Sequence, residues 1–155
     1  MANAALEALT AAGINHRVVR REQVTSLAEA AAQAGVDTAD VIKTIVVRRA
    51  DDDYVFVLVP GDRAISWPKL RAVLGVNRLS MPDAATAKNA TGYERGTITP
   101  FGATTAWPVV ADERIVGRTI RLGAGAHDTA VVLDSDDVVR VLDAAVADVT
   151  DAAPG

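Results

Sequence analysis

The chain contains no cysteine. That removes disulfide frameworks, thiolate zinc sites and cysteine nucleophiles together. Histidine is nearly as scarce, and His16 and His127 are too few for a histidine-rich metal site. Aromatic residues make up only 4% of the sequence. The longest apolar run, Val55 to Pro60, is far short of the ~20 residues a membrane helix needs. The opening MANAALEALT has neither a basic segment nor an apolar core, so no signal peptide is expected. What is present, 155 residues with 50% hydrophobic and 23% charged side chains, fits one soluble, cytoplasmic domain over 1–155. A core of that size needs no metal and no disulfide to hold it.

Charge of either sign is unevenly spread. Residues 1–95 carry 12 Lys+Arg against 11 Asp+Glu, and residues 96–155 carry 4 against 9, which together make the net charge of −4. A protein acidic overall does not coat nucleic acid through a general positive field. A local basic patch from the first half, which holds Arg17, Arg20, Arg48, Arg63 and Lys69, is still compatible with gripping a small part of one.

Helix and strand signals alternate along the chain. Ala4 to Ala12 reads as a helix stopped at Gly13, and Ile14 to Arg20 as a half-buried strand. Ser26-x-x-Glu29 is a capping box for a short helix closed by Gly35. IKTIVVRR (42–49) and YVFVLVP (54–60), joined by a polar ADDD, predict a β-hairpin. Ser66 caps a helix that ends at Gly75; Asn77 to Ser80 suits a short strand and Asp83 to Ala90 another helix. Trp107 to Ala111, Thr119 to Leu122 and Thr129 to Leu133 read as strands, and Ser135 caps a helix expected to run from Asp136 to about Val149. Short strands interleaved with short helices predict an α+β fold with a mixed, mostly antiparallel sheet.

Lys43 stands out. Period-two alternation puts it on one face with Ile45 and Val47. A lysine there either snorkels to water or aims its ammonium into a pocket at an anionic or carbonyl oxygen. A second feature is the loop TGYERGTITPFG (91–102), in which Gly96 and Pro100 stand four apart with Phe101 and Gly102 following. Glycine permits close backbone approach and proline fixes the turn, so such a loop can aim N–H groups. Loop amides with a lysine suit acyl-ester hydrolysis, where negative charge grows on a carbonyl oxygen. A purely structural loop explains the spacing equally well.

Taken in order, VIKTIVV, VFVLVPGDR, LRAVLGVNRLSM, TGYERGTITPFG and GAGAHDTAVVL resemble the YbaK/EbsC family of aminoacyl-tRNA deacylases, which are related to the editing domain of bacterial prolyl-tRNA synthetases. The resemblance runs from about Ala5 to Ala145. It implies an α+β fold with a barrel-like sheet, and hydrolysis of the ester of a mischarged tRNA without cofactor or metal. It further implies that Lys43, Gly96 and Pro100 carry the catalysis, with water activated by the substrate's own groups instead of a protein base. The substrate implied is the acceptor end of Cys-tRNA(Pro) or Ala-tRNA(Pro), with prolyl-tRNA synthetase as a partner. Thr44, following the lysine, resembles the cysteinyl-directed branch, although alternation turns its side chain to the opposite face.

Substrate contacts are expected from Thr97, Ile98, Phe101 and Gly102 of the loop, and from His127 and Asp112 at the pocket mouth. Asp112-Glu113 also reads as a helix start. Gly123-Ala124-Gly125 opens no helix, so a dinucleotide fingerprint is rejected. Trp67 and Trp107 are assigned to packing. A non-catalytic module that binds an amino acid or nucleotide and regulates a partner is the alternative reading, and no membrane contact is expected.

Overall fold

The apolar alternation of 42–60 becomes the backbone of the domain. The computed structural model describes residues 3–20 and 37–153. The capping box at Ser26 and the helix expected through Gly35 lie outside the described residues.

Strands β2 (Ile42–Ala50) and β3 (Asp53–Pro60) pair antiparallel, with Lys43 opposite Val59. The tight turn between them puts Asp52 at φ 56, a conformation that aspartate tolerates better than most side chains. β3 then pairs in parallel with β5 (Val109–Asp112), and β5 in parallel with β8 (Ala145–Ala147). A second sheet has the order β1 (His16–Arg20), β7 (Thr129–Asp134), β6 (Thr119–Gly123), all antiparallel. β4 (Arg63–Ile65) and β9 (Thr150–Ala152) form a two-stranded sheet. The fold is α+β with mixed sheets, as expected. Among the described residues the sheets do not close into a barrel, and one parallel bridge, Val41 to Arg121, joins β2 to β6.

Alternation sorts the central sheet into two cores. Ile42, Val46, Tyr54, Phe56, Leu58, Val109 and Ala111 face the second sheet, where Ile120, Leu122, Val131 and Leu133 meet them with Leu9 of α1 (Ala4–Ala11). On the other face Val47, Val55, Val57, Val59 and Val110 pack against Val149 and against Leu70 of α2 (Trp67–Leu74). Both faces of β3 are buried, which is why its sequence is an unbroken apolar run.

Two tail expectations are corrected. The last helix, α4, spans only Ser135–Leu142, and its N-cap is Asp134, whose side chain accepts from the Asp136 N–H. Asp143 at φ 50 terminates it, and the residues after it find ladder partners in β5 and β4 instead of continuing the helix. The strand expected at 77–80 reduces to one bridge between Ser80 and Arg48. The helix expected at 83–90 is α3 (Ala84–Thr91), capped by Asp83. Both tryptophans pack: Trp67 lies against the Val47–Leu70 core. Trp107 meets the Tyr54 ring edge-on, with its Nε1 donating to the Ala90 carbonyl at 2.8 Å.

Candidate functional site

Lys43 occupies the face that alternation assigned to it. Its Nζ donates to the Arg63 carbonyl at 2.5 Å, and the side chain is half-buried. Burial lowers its pKa from the ordinary lysine value, and the nearby Asp62 carboxylate partly opposes that shift. Thr44 points to the opposite face, where its hydroxyl is buried without a hydrogen-bond partner.

The Val41–Arg121 bridge decides what shares a face with Lys43. Bridged residues of parallel strands project to the same side, so residues two further along each strand, Lys43 and Gly123, project there as well. A Cβ built on Gly123 would meet the Ile98 and Thr97 carbonyl oxygens at 3.8 and 3.9 Å. The loop therefore lies over Gly123, on the face that carries Lys43. The hairpin lysine and the Gly96–Pro100 segment, far apart in sequence, thus stand on one face with β6 between them.

The loop is braced from within. Thr97, buried, donates its N–H and its hydroxyl to the Glu94 carbonyl at 2.9 and 2.7 Å, and its own carbonyl accepts from the Gly125 N–H at 3.1 Å. The Thr99 hydroxyl accepts from the Phe101 N–H at 3.3 Å, and the Tyr93 hydroxyl donates to the Phe101 carbonyl at 2.7 Å. Burial pushes the Tyr93 pKa up, which keeps it a neutral donor. Phe101 belongs to the core and Ile98 packs against it. Among the described residues, the N–H groups of Ile98 and Thr99 are not consumed by these braces. Pro100 removes the N–H that would otherwise follow them.

Gly102 closes the loop in the left-handed region at φ 73, and a Cβ there would come within 2.5 Å of the Ala4 backbone. Gly102→Ala is therefore expected to cost about 2 kcal/mol through strain and forced displacement of α1. Thermal unfolding checks this, and an unchanged Tm would contradict the close approach.

The remaining expected residues divide. His127 sits beside Gly96, whose Cβ would lie 3.7 Å from His127 Cε1, and its Nε2 is 3.5 Å from the Glu94 carboxylate. It stands at the loop's rim, largely exposed. Asp112 is fully buried, and its carboxylate is committed internally. It accepts from the Arg114 N–H and guanidinium, from the Val149 N–H at 3.2 Å and from the Thr150 hydroxyl at 2.9 Å. The same Thr150 hydroxyl accepts from Arg63 Nε at 2.6 Å, and the Arg63 carbonyl holds Lys43. Asp112 thus stands behind the lysine as the far end of a chain of hydrogen bonds. Residue-type reasoning missed Gly123, although a glycine inside a strand is a signal of close backbone approach. A cleft of about 280 Å³ beside the hairpin turn, lined by Asp52, Tyr54, Asn89 and Trp107 among others, contains none of these groups. Among the described residues no group of His, Cys, Asp or Glu could hold a metal ion, and no helix is long and apolar enough to cross a membrane.

Comparison with known proteins identifies the family and the fold. A proline–tRNA ligase of Lactobacillus helveticus is 35% identical over 94 residues, which is 60% of this chain and 16% of that protein. The ligase of Acidithiobacillus ferrooxidans is 32% identical over 111 residues, 71% of this chain and 19% of that protein. The chain therefore spans less than a fifth of the curated relatives it matches. A solved hypothetical protein superposes with a TM-score of 0.86 at 25% identity, covering 94% of this chain and 98% of its own. A candidate trans-editing enzyme for prolyl tRNA synthetase shares the fold, with a TM-score of 0.87 at 22% identity over 97% of this chain and 99% of its own. The family described as the aminoacyl-tRNA editing domain matches residues 21–141. By that match, which takes in Lys43, the loop and β6 together, this chain belongs to the aminoacyl-tRNA editing domain family.

Proposed function

We propose that this domain is a hydrolase that deacylates mischarged aminoacyl-tRNA, with Cys-tRNA(Pro) or Ala-tRNA(Pro) as substrate and prolyl-tRNA synthetase as the enzyme whose errors it corrects. The observation that carries the reading is the shared face of Lys43 and Gly123, with the loop carbonyls of Thr97 and Ile98 lying over the glycine. It supports a pocket with an ammonium on its wall and unspent loop N–H groups on its rim. An ester carbonyl held between them would find donors as its oxygen gains charge.

Lys43, Gly96 and Pro100 are assigned the catalytic roles: the lysine orients the aminoacyl end, and the glycine and proline set the loop. Ile98 contributes its N–H. Thr97, Phe101 and Gly102 hold the loop's shape. His127 contacts the ribose side from the rim, and Asp112 supports the lysine from behind. None of these residues is a nucleophile. Attack is assigned to water activated by a hydroxyl of the terminal adenosine or by a group on the amino acid, and the domain contributes position.

A pocket walled by loop backbone excludes by size. Rejecting a large side chain is easier than rejecting a missing methylene. Measured on a panel of mischarged tRNAs, hydrolysis is expected for one or more small aminoacyl esters and is expected to be weak on leucyl and phenylalanyl esters. Binding without turnover on every member of the panel would overturn the assignment as a hydrolase, and equal rates across all sizes would overturn the selective pocket.

A further inference from the structure

Arg121 lies on the same face of the sheet as Lys43 and is used by nothing described above. It sits in the middle of β6, between the core residues Ile120 and Leu122, so its side chain projects away from the core. The residue is half-buried, and its Nε is buried with no hydrogen-bond partner. Six of the twelve other arginines form ion pairs among the described residues: Arg20, Arg48, Arg49, Arg114, Arg118 and Arg140. A buried guanidinium Nε–H without an acceptor is unfavourable unless a ligand supplies one.

Arg121 is bridged to Val41, and Lys43 is two residues along the neighbouring strand. A strand spacing of about 4.8 Å and a rise of about 3.3 Å per residue put the Lys43 and Arg121 Cα atoms roughly 8 Å apart on one face. From that separation two long side chains can converge on the two ends of one nucleotide, the acylated ribose hydroxyl and the 5′-phosphate. Arg17, across Val132 on β1, extends the same row outward. We propose that Arg121 is a phosphate-binding residue that takes the 5′-phosphate of the terminal adenosine while Lys43 faces the ester. The guanidinium suits this because its planar fork donates two parallel N–H groups to one phosphate. The inference rests on the deacylase reading and adds to it a binding subsite for a nucleoside phosphate.

The test uses two minimal substrates for the full chain, 3′-O-alanyl-adenosine and 3′-O-alanyl-adenosine 5′-phosphate, with the cysteinyl pair run in parallel. The parent is expected to favour the phosphorylated member in kcat/KM by about 10- to 100-fold, the range for a charge-assisted contact. Arg121→Gln should erase the preference by slowing the phosphorylated substrate alone, and Arg121→Lys should restore part of it. The Tm of Arg121→Gln should not fall, because the charge it removes has no ion-pair partner among the described residues. In the unaltered protein, adenosine 5′-monophosphate should inhibit deacylation more strongly than adenosine does, which tests the subsite even where a variant fails to fold. A parent that hydrolyses both substrates without preference, or an Arg121→Gln variant that keeps the preference, overturns the subsite and leaves the deacylase reading standing. A parent that hydrolyses neither substrate and no mischarged tRNA overturns the deacylase reading itself.

Discussion

Lys43→Ala is expected to lower kcat/KM for deacylation by roughly 10²-fold or more, the order observed when one transition-state donor is removed. The same protein should unfold no earlier than the parent. Its Nζ gives up one hydrogen bond to the Arg63 carbonyl, but a half-buried ammonium leaves the sheet face with it. Burial holds the lysine's pKa below its value in the unfolded chain, so the unfolded state binds the extra proton more readily. The lysine therefore costs stability below its folded pKa, and the cost fades as pH rises from there toward the ordinary value. Activity carries the opposite sign, since the ammonium is lost as pH climbs through the lowered pKa. Lys43→Arg should rescue only part of the rate, because a planar fork is not a point charge. Single-turnover deacylation and thermal unfolding on one sample decide the matter. A folded Lys43→Ala protein with full activity would take the lysine out of the site.

Asp112→Ala is expected to destabilise the domain by about 3 kcal/mol, the largest effect on stability among the substitutions considered. Its carboxylate is the acceptor for the buried Val149 N–H and Thr150 hydroxyl, and both would be stranded. Arg114 would suffer less, since it also pairs with Asp148 at 2.9 Å. Denaturant unfolding measures the loss. Asp112→Asn should recover part of it, because an amide oxygen can still accept one of these bonds. A change below about 1 kcal/mol for Asp112→Ala would mean that water replaces the carboxylate.

Much of this was legible before any coordinates. The hairpin followed from the β-branched and aromatic enrichment of 42–49 and 54–60 around a polar loop. Alternation also placed Lys43 and Thr44 on opposite faces. The tail was misread because Asp136 to Val149 has helical spacing throughout. Only tertiary pairing reveals that Ala145–Ala147 belongs beside β5. Asp112 was ambiguous for a similar reason: a carboxylate at a helix start and one in a pocket look alike until its partners are known. Arg121 escaped residue-type reasoning because its meaning depends on one bridge to Val41, and no local pattern encodes a contact between residues that distant; Gly123 carried a local signal but was weighed only as part of a dinucleotide fingerprint.

That bridge has a consequence for how the domain fails on heating. Each sheet has its own ladder and the two share one apolar core, yet β2 and β6 are joined among the described residues by a single rung. Opening a seam so sparsely hydrogen-bonded requires far less than global unfolding, and such regions exchange their amide protons first. The lysine stands on one bank of the seam and the loop's seat on the other. Parting the banks by a few ångströms would separate them with both sheets intact. Catalytic competence should then be the most heat-sensitive property of the domain, vanishing at temperatures where its secondary structure is still whole.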